Sequence, residues 1–306
     1  MTELDYNVEQ IVKGELLAAH VLYLLRRGAM AVQAERGLTV DGAAGPRTRA
    51  EIEALMALEK QPAVIMPKGK GMFMRTLKLA GTITDILDGM STRGLSWVAI
   101  TRIWQYPEAN KPTSLFNTTQ LPEYAAALRD AGHEVWVWGY PAPGKHEEFV
   151  EKLVSMAVAV KARGVILDPE EPFIGRAEEA AALMAATLAA AAQFGLGVGF
   201  TSYGAPWNFP NFPWSAFLGA DFGMPQIYDA SNNLPATYPA KSVNAWKQLG
   251  FHHVAPISAA FNKSRDQMTA LLKATPIDGT VSWWDWFNCN GDPKRWDAVQ
   301  EFALGG

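Results

Sequence analysis

An apolar run, GVIL, leads straight into Asp168-Pro169-Glu170-Glu171, and no stretch of the chain carries chemistry more openly. If residues 164–170 continue as an extended strand, Asp168 and Glu170 are i and i+2 and point to the same face. Two carboxyls held that close repel, so one pKa rises and leaves a proton on Glu170 at neutral pH. A retained proton beside an ionised Asp168 suits general acid catalysis on a leaving oxygen. The competing reading is that Asp168 caps the next helix and Glu170 is only solvated.

Positioning such a pair needs a rigid frame, and the spacing of apolar runs supplies one. Eight β-branched and aromatic runs begin at Gly71, Trp97, Glu134, Gly164, Gly197, Phe222, His252 and Gly279. Helical stretches separate them, notably LPEYAAALRDAG, HEEFVEKLVSMAVAVKARG and AEEAAALMAATLAAAAQFG. Each of the three ends in Gly, which predicts a C-cap. This rhythm predicts an α/β fold, a (β/α)8 TIM-type barrel over 71–306. An open doubly wound sheet fits less well, because no glycine-rich phosphate loop follows the first run.

In a barrel the C-terminal strand ends form the site. Those ends offer Arg102 and Trp104, then Trp138 and Tyr140, then Asp168, Glu170 and Glu171. Ser202 and Tyr203 follow, then Gln226, Tyr228 and Asp229, Asn262, and finally Trp284, Asp285 and Trp286. Aromatic faces with carboxylates and amides between them suit a sugar, whose apolar ring faces stack while its hydroxyls hydrogen-bond.

Residues 1–60 differ in character and predict a small three-helix domain, joined through a linker at 61–70 (QPAVIMPKGK). Thr48 and Glu51 fit a capping box after the turn-rich LTVDGAAGP. The formal net charge of −4 gives no electrostatic case for nucleic acid or an anionic membrane. No run approaches the length of a membrane span. The acidic MTELDYNVEQ is unlike a secretory signal, so a product made in the cytoplasm is expected. The single cysteine, Cys289, reads as a buried free thiol. The five histidines are scattered without ligand spacing, so neither metal nor cofactor is expected, and the chain is expected to be a monomer.

Three motifs carry a resemblance. GVILDPE resembles the end of the D-x-x-D-x-D-x-E fourth-strand pattern of glycoside hydrolase family 18 chitinases, with Ile166 where an Asp would stand. MPQIYD is similar to that family's sixth-strand M-x-Y-D with one residue inserted, and SWWDW to its eighth-strand tryptophan. Family 25 lysozymes share a D-x-E on the fourth strand and an acidic residue near the eighth, which Asp285 mirrors; their first-strand Asp is absent, and GMFMRTL supplies only Arg75.

The resemblance implies substrate-assisted retention. Glu170 would protonate the glycosidic oxygen, Asp168 would stabilise an oxazolinium ion, and Tyr228 with Asp229 would hold the 2-acetamido group. Glu171, Arg102, Trp104, Tyr140, Tyr203, Gln226, Trp284, Asp285 and Trp286 would line the sugar site.

GLTVDGAAGPRTRAEIEAL resembles the second half of a three-helix peptidoglycan-binding domain, through Asp41, Gly42, Gly45 and Thr48, with Ala50 and Ile52 beyond. That domain order implies a phage-type endolysin, a lysozyme-like enzyme whose partner is the peptidoglycan glycan strand and which acts on the wall after release. A noncatalytic glycan-binding barrel and a chitinase-like enzyme stand as alternatives. The loop YGAPWNFPNFPW after the fifth run either forms a sugar subsite or packs over the rim.

Overall fold

The computed structural model describes residues 64–75, 77–105, 114–115, 121–228 and 237–304, all within the unit Val64–Gly306. The expected N-terminal domain, with Asp41, Gly42, Gly45, Thr48 and the Thr48–Glu51 capping box, lies outside the described residues, as do the start of the linker and Asp229.

The strands in chain order are β1 (Gly69–Phe73), β2 (Leu95–Trp104), β3 (Ser114–Leu115), β4 (Glu134–Tyr140), β5 (Gly164–Leu167), β6 (Gly197–Tyr203), β7 (Phe222–Ile227), β8 (Ile257–Ala259) and β9 (Thr280–Trp284). All but β3 pair in parallel with their neighbours, and β1 pairs with both β2 and β9, so the sheet closes on itself. This is the expected (β/α)8 barrel. The two-residue β3 lies antiparallel on the mouth end of β2, opposite Ile103 and Trp104. The seventh run yields only three residues of strand, with Val254 bridging to Gly223 ahead of it.

Around the barrel run α1 (Leu77–Ala80), α2 (Ile83–Thr92), α3 (Leu121–Asp130), α4 (His146–Ala159), α5 (Ala177–Ala192), α6 (Tyr238–Leu249), α7 (Arg265–Ala274), α8 (Trp286–Asn290) and α9 (Pro293–Glu301). Gly132 and Gly195 take positive φ just beyond α3 and α5, as expected. After α4 the left-handed position falls instead to Lys161, at φ 49°. Gly164 is already in β5, where a Cβ would sit 2.3 Å from the Trp136 ring. That glycine serves the barrel interior rather than the helix end. Among the described residues no helix is long and apolar enough to cross a membrane.

Alternation along the strands sorts the core into two. Outward residues such as Val98, Val137, Leu167 and Phe200 join the helices in one large cluster. Inward residues fill the bore with Phe73, Trp97, Trp136, Trp138, Ile166, Phe222, Met224 and Ile257. Three indoles fit because the neighbouring strand gives way: at Gly71 a Cβ would lie 1.9 Å from the Trp97 ring. Phe73 meets Trp97 and Trp138 edge-on, at 6.2 and 5.8 Å, a favoured aromatic geometry. Burying each such ring stabilises the barrel by roughly 1.5–3 kcal/mol.

At the barrel's closed end, buried Lys70 of β1 reaches the C-terminus of α9. Its Nζ donates to the carbonyls of Val299 at 2.9 Å and Phe302 at 3.1 Å. An ammonium there satisfies carbonyls the helix leaves unpaired and complements the helix dipole.

Candidate active site

β5 ends at Leu167, but its ladder runs one step further, because the Asp168 amide donates to the Gly139 carbonyl at 2.9 Å. The alternation that turns Ile166 into the bore therefore turns Asp168 and Glu170 inward one storey above it. Pro169 between them is fixed from β6, where the buried Ser202 hydroxyl donates to its carbonyl at 2.8 Å.

Asp168 is only 6% exposed, and one carboxylate oxygen accepts from Gln226 Nε2 at 2.8 Å. Gln226 is itself buried near the end of β7. It holds the Asp168 carboxylate in one orientation and satisfies a buried charge-bearing oxygen. Glu170, half-buried beside it, has its pKa raised above the ordinary carboxylate range. The cause differs from like-charge repulsion: burial drives the shift, while hydrogen bonding with Gln226 and Asp168 pulls the other way and loses.

Three tyrosines close around the pair. Burial comes first in raising Tyr140, Tyr203 and Tyr228 above their usual range, and the negative charge of Glu170 and Asp168 adds to it. All three stay neutral at physiological pH. Tyr228 packs edge-on against Phe261 at 5.2 Å. Tyr140 lies flat on Trp104, with ring centroids 4.1 Å apart and planes 9° from parallel. Tyr203 stacks on Phe209 at 3.6 Å.

Trp284, at the end of β9, stands on the aromatic bore, 5.7 Å from Phe73 and 5.0 Å from Trp138. It is the upper surface of that stack. Asp285, fully buried, follows it through a cis peptide bond. Its carboxylate takes Arg75 Nε at 2.5 Å, and it caps α8 by accepting from the Asn288 amide at 3.1 Å and its side-chain nitrogen at 2.6 Å. Burial raises its pKa, with Arg75 opposing.

No family model matches the chain, and no curated protein matches it in sequence. Solved structures do. The spore cortex-lytic enzyme SleL of Bacillus cereus is 10% identical, with a TM-score of 0.55 over 78% of this chain and 75% of that one. The family 18 chitinase ChiB of Flavobacterium johnsoniae is also 10% identical, at 0.54 over 76% and 93%. A xylanase and alpha-amylase inhibitor protein from Scadoxus multiflorus reaches 0.55 at 10% identity, over 78% and 100%. What they share with this chain is the barrel.

On that barrel not every residue expected at the mouth arrives there. Trp286 begins α8 and is buried behind the mouth, its Nε1 donating to the Ala80 carbonyl at 3.2 Å and its ring 4.8 Å from Trp296. The strand alternation stops at Asp285, where the cap turns the chain, so Trp286 packs among helices. Trp138 sits below the mouth, fully buried, with Nε1 reaching the Met74 carbonyl at 3.4 Å. Asp285 is the partner of Arg75 rather than an open carboxylate. Glu171 is exposed at the start of a 3-10 turn and lines a surface recess with Pro143, Gly144 and Arg176, at the edge of the mouth, where its charge still acts on Tyr140 and Tyr203. The Arg102 Cα is in register with Trp138, but its side chain, like Asp229, lies outside the described part.

Two roles were not read from the sequence: Gln226 as the holder of Asp168, and Arg75 as the counter-ion of Asp285. The signal for Gln226 was its parity with Tyr228, two residues on along the same inward row. Cys289 is buried and its thiol is pushed up by burial, which keeps it from acting as a thiolate.

Proposed function

We propose that this chain is a retaining glycoside hydrolase that cleaves peptidoglycan glycan strands with help from the substrate's own 2-acetamido group. One observation carries the reading: Glu170, a carboxyl whose pKa burial raises, stands beside a buried carboxylate oriented by Gln226 at the open end of the barrel.

In the proposed reaction the Glu170 carboxyl gives its proton to the glycosidic oxygen as the bond from C1 to that oxygen breaks. The acetamido carbonyl oxygen bonds to C1 from the opposite face, forming an oxazolinium ion. Asp168 accepts the N–H of that ion and offsets its charge. Water then attacks C1 and displaces the acetamido oxygen, regenerating the acetamide, while its proton passes to the Glu170 carboxylate and the acid is restored. Tyr228, with Asp229, is assigned to the acetamido group, and Trp284 offers its surface to the apolar face of the sugar.

The choice of peptidoglycan leans on the Asp41–Thr48 motif, and so does the phage-type endolysin role. SleL, named for spore cortex lysis, has the same barrel, and that likeness supports the choice. A second reading, a glycan-binding barrel without activity, draws on Ile166 and on the inhibitor protein with this fold.

Digestion of purified peptidoglycan, followed by borohydride reduction and mass spectrometry, tests the reading. New reduced muramic acid or reduced glucosamine ends are expected from the native chain, and their identity names the bond. None is expected from Glu170→Gln. Ends produced equally by both proteins would sink the assignment of Glu170, and ends from neither would favour the binding reading.

A further inference from the structure

The loop after β6, YGAPWNFPNFPW, splits into two fates. Phe212 and Trp214, with Phe217 just beyond, pack into the core on Phe200, at 6.3, 6.3 and 4.4 Å, and Phe209 stacks on Tyr203. Of the loop's aromatic residues Trp207 alone stays out, 39% exposed. It is nonetheless held in place. The Lys241 ammonium sits 3.9 Å from its ring centroid, a cation–π distance, and Tyr238 meets it at 6.0 Å and 80°.

Trp207 forms one wall of a groove of about 850 Å³ on the outer side of the barrel, within the range of small-ligand sites. Pro206 and Pro210 extend that wall. The other wall is α6, whose Lys241, Asn244 and Gln248 fall at i, i+3 and i+7 and so share one face. The buried side of α6 locks the two walls together. Ser242 Oγ donates to the Gly204 carbonyl at 2.5 Å and Trp246 Nε1 to the Tyr203 carbonyl at 3.1 Å, at the root of the loop. The groove is preformed, so a ligand meets little ordering cost.

We infer that this groove is a second glycan-binding site, separate from the barrel mouth, that takes an acidic amino-sugar strand. The indole and the exposed Pro210 match the apolar faces of pyranose rings. Two amides on the facing helix match hydroxyl and acetamido groups. The charge decides between polymers: among its described lining residues the groove has one ammonium and no carboxylate, in a chain of formal net charge −4. A strand bearing lactyl carboxylates complements it, and neutral chitin does not. The naming of that strand rests on the proposed function; the existence of the site does not. A second site would hold an insoluble polymer while the mouth works on it.

The test uses the full chain carrying Glu170→Gln and labelled with 6-fluorotryptophan, with the Trp207 ¹⁹F resonance identified by its loss in Trp207→Phe. Soluble peptide-free glycan strands from peptidoglycan should shift that resonance, and Ala245→Trp, which fills the groove, should abolish the shift. Lys241→Gln should weaken the apparent affinity for these strands by about tenfold while leaving chitotetraose binding unchanged. In the active protein, Trp207→Ala should slow solubilisation of whole sacculi and leave hydrolysis of a soluble tetrasaccharide as it is. A Trp207 resonance unmoved by saturating strands overturns the site. Equal losses for strands and chitotetraose in Lys241→Gln overturn its acidic preference. A Trp207→Ala protein that unfolds earlier yet clears sacculi normally points to a segment of this chain as the occupant, and also overturns the proposal. If no substrate is hydrolysed by any variant, the catalytic reading fails and the ¹⁹F titration still decides the site.

Discussion

The bore and the mouth of this barrel are built from the same inward-facing rows and could hardly differ more. On β5, Ile166 is packed among indoles, and two residues later Asp168 is a buried carboxylate. On β7, Met224 lies in the bore and Gln226 holds Asp168. The family 18 pattern places one more carboxylate on the β5 row, at the position of Ile166. This chain spends that storey on apolar packing, so the polar network starts higher and depends on an amide. Apolar packing and the polar network are stacked one above the other, meeting where Trp284 and Tyr228 rest on the bore.

Substitutions in the two storeys test how separate they are. The largest effect is expected at the mouth: Glu170→Gln should lower kcat by about 10²–10⁴-fold, the usual worth of a general acid, measured as new reducing ends. Its folding should follow the opposite trend. A carboxyl with a raised pKa contributes stability below the ordinary carboxylate range, lost as pH rises through the raised value. Glu170→Gln should therefore gain on the native protein in denaturant midpoint as pH climbs through that window, and a gap independent of pH would contradict burial as the cause.

Ile166→Asp carries the comparison into the bore. A lone carboxyl among Trp136, Trp138 and Met224 should cost about 3 kcal/mol or more in chemical denaturation. A well-folded and more active variant would show that the storeys are coupled.

Gln226→Leu should have a smaller effect, about a tenfold fall in kcat, in line with the loss of one hydrogen bond to a charged group. Its signature is in the pH profile. Gln226 holds the Glu170 pKa down, so its loss should move the alkaline limb of kcat/KM to higher pH. An unmoved limb would leave Gln226 with a purely structural role.

The sequence conveyed the barrel because eight apolar runs recur at spacing that only a β/α repeat produces. It likewise conveyed the shared face of Asp168 and Glu170, through the two-residue period of a strand. It failed where alternation stops. Trp286 reads like Trp284 in SWWDW, but the Asp285 cap between them turns one toward the mouth and the other into the helices. Pairings between distant strands were also hidden: nothing in GMFMRTL says that Arg75 will meet a carboxylate 210 residues later. Nor does the DPE motif say that burial, rather than its own second carboxylate, will govern Glu170.

The tie from Lys70 to the carbonyls that end α9 has a consequence for the order of assembly. β1 is made first among the described strands and cannot gain its second neighbour until β9 exists. Its lysine cannot find its acceptors until α9 has also formed. During synthesis the barrel therefore cannot close until nearly the whole described chain has emerged, and Asp168 and Glu170 are made long before the strand that completes the ring around them.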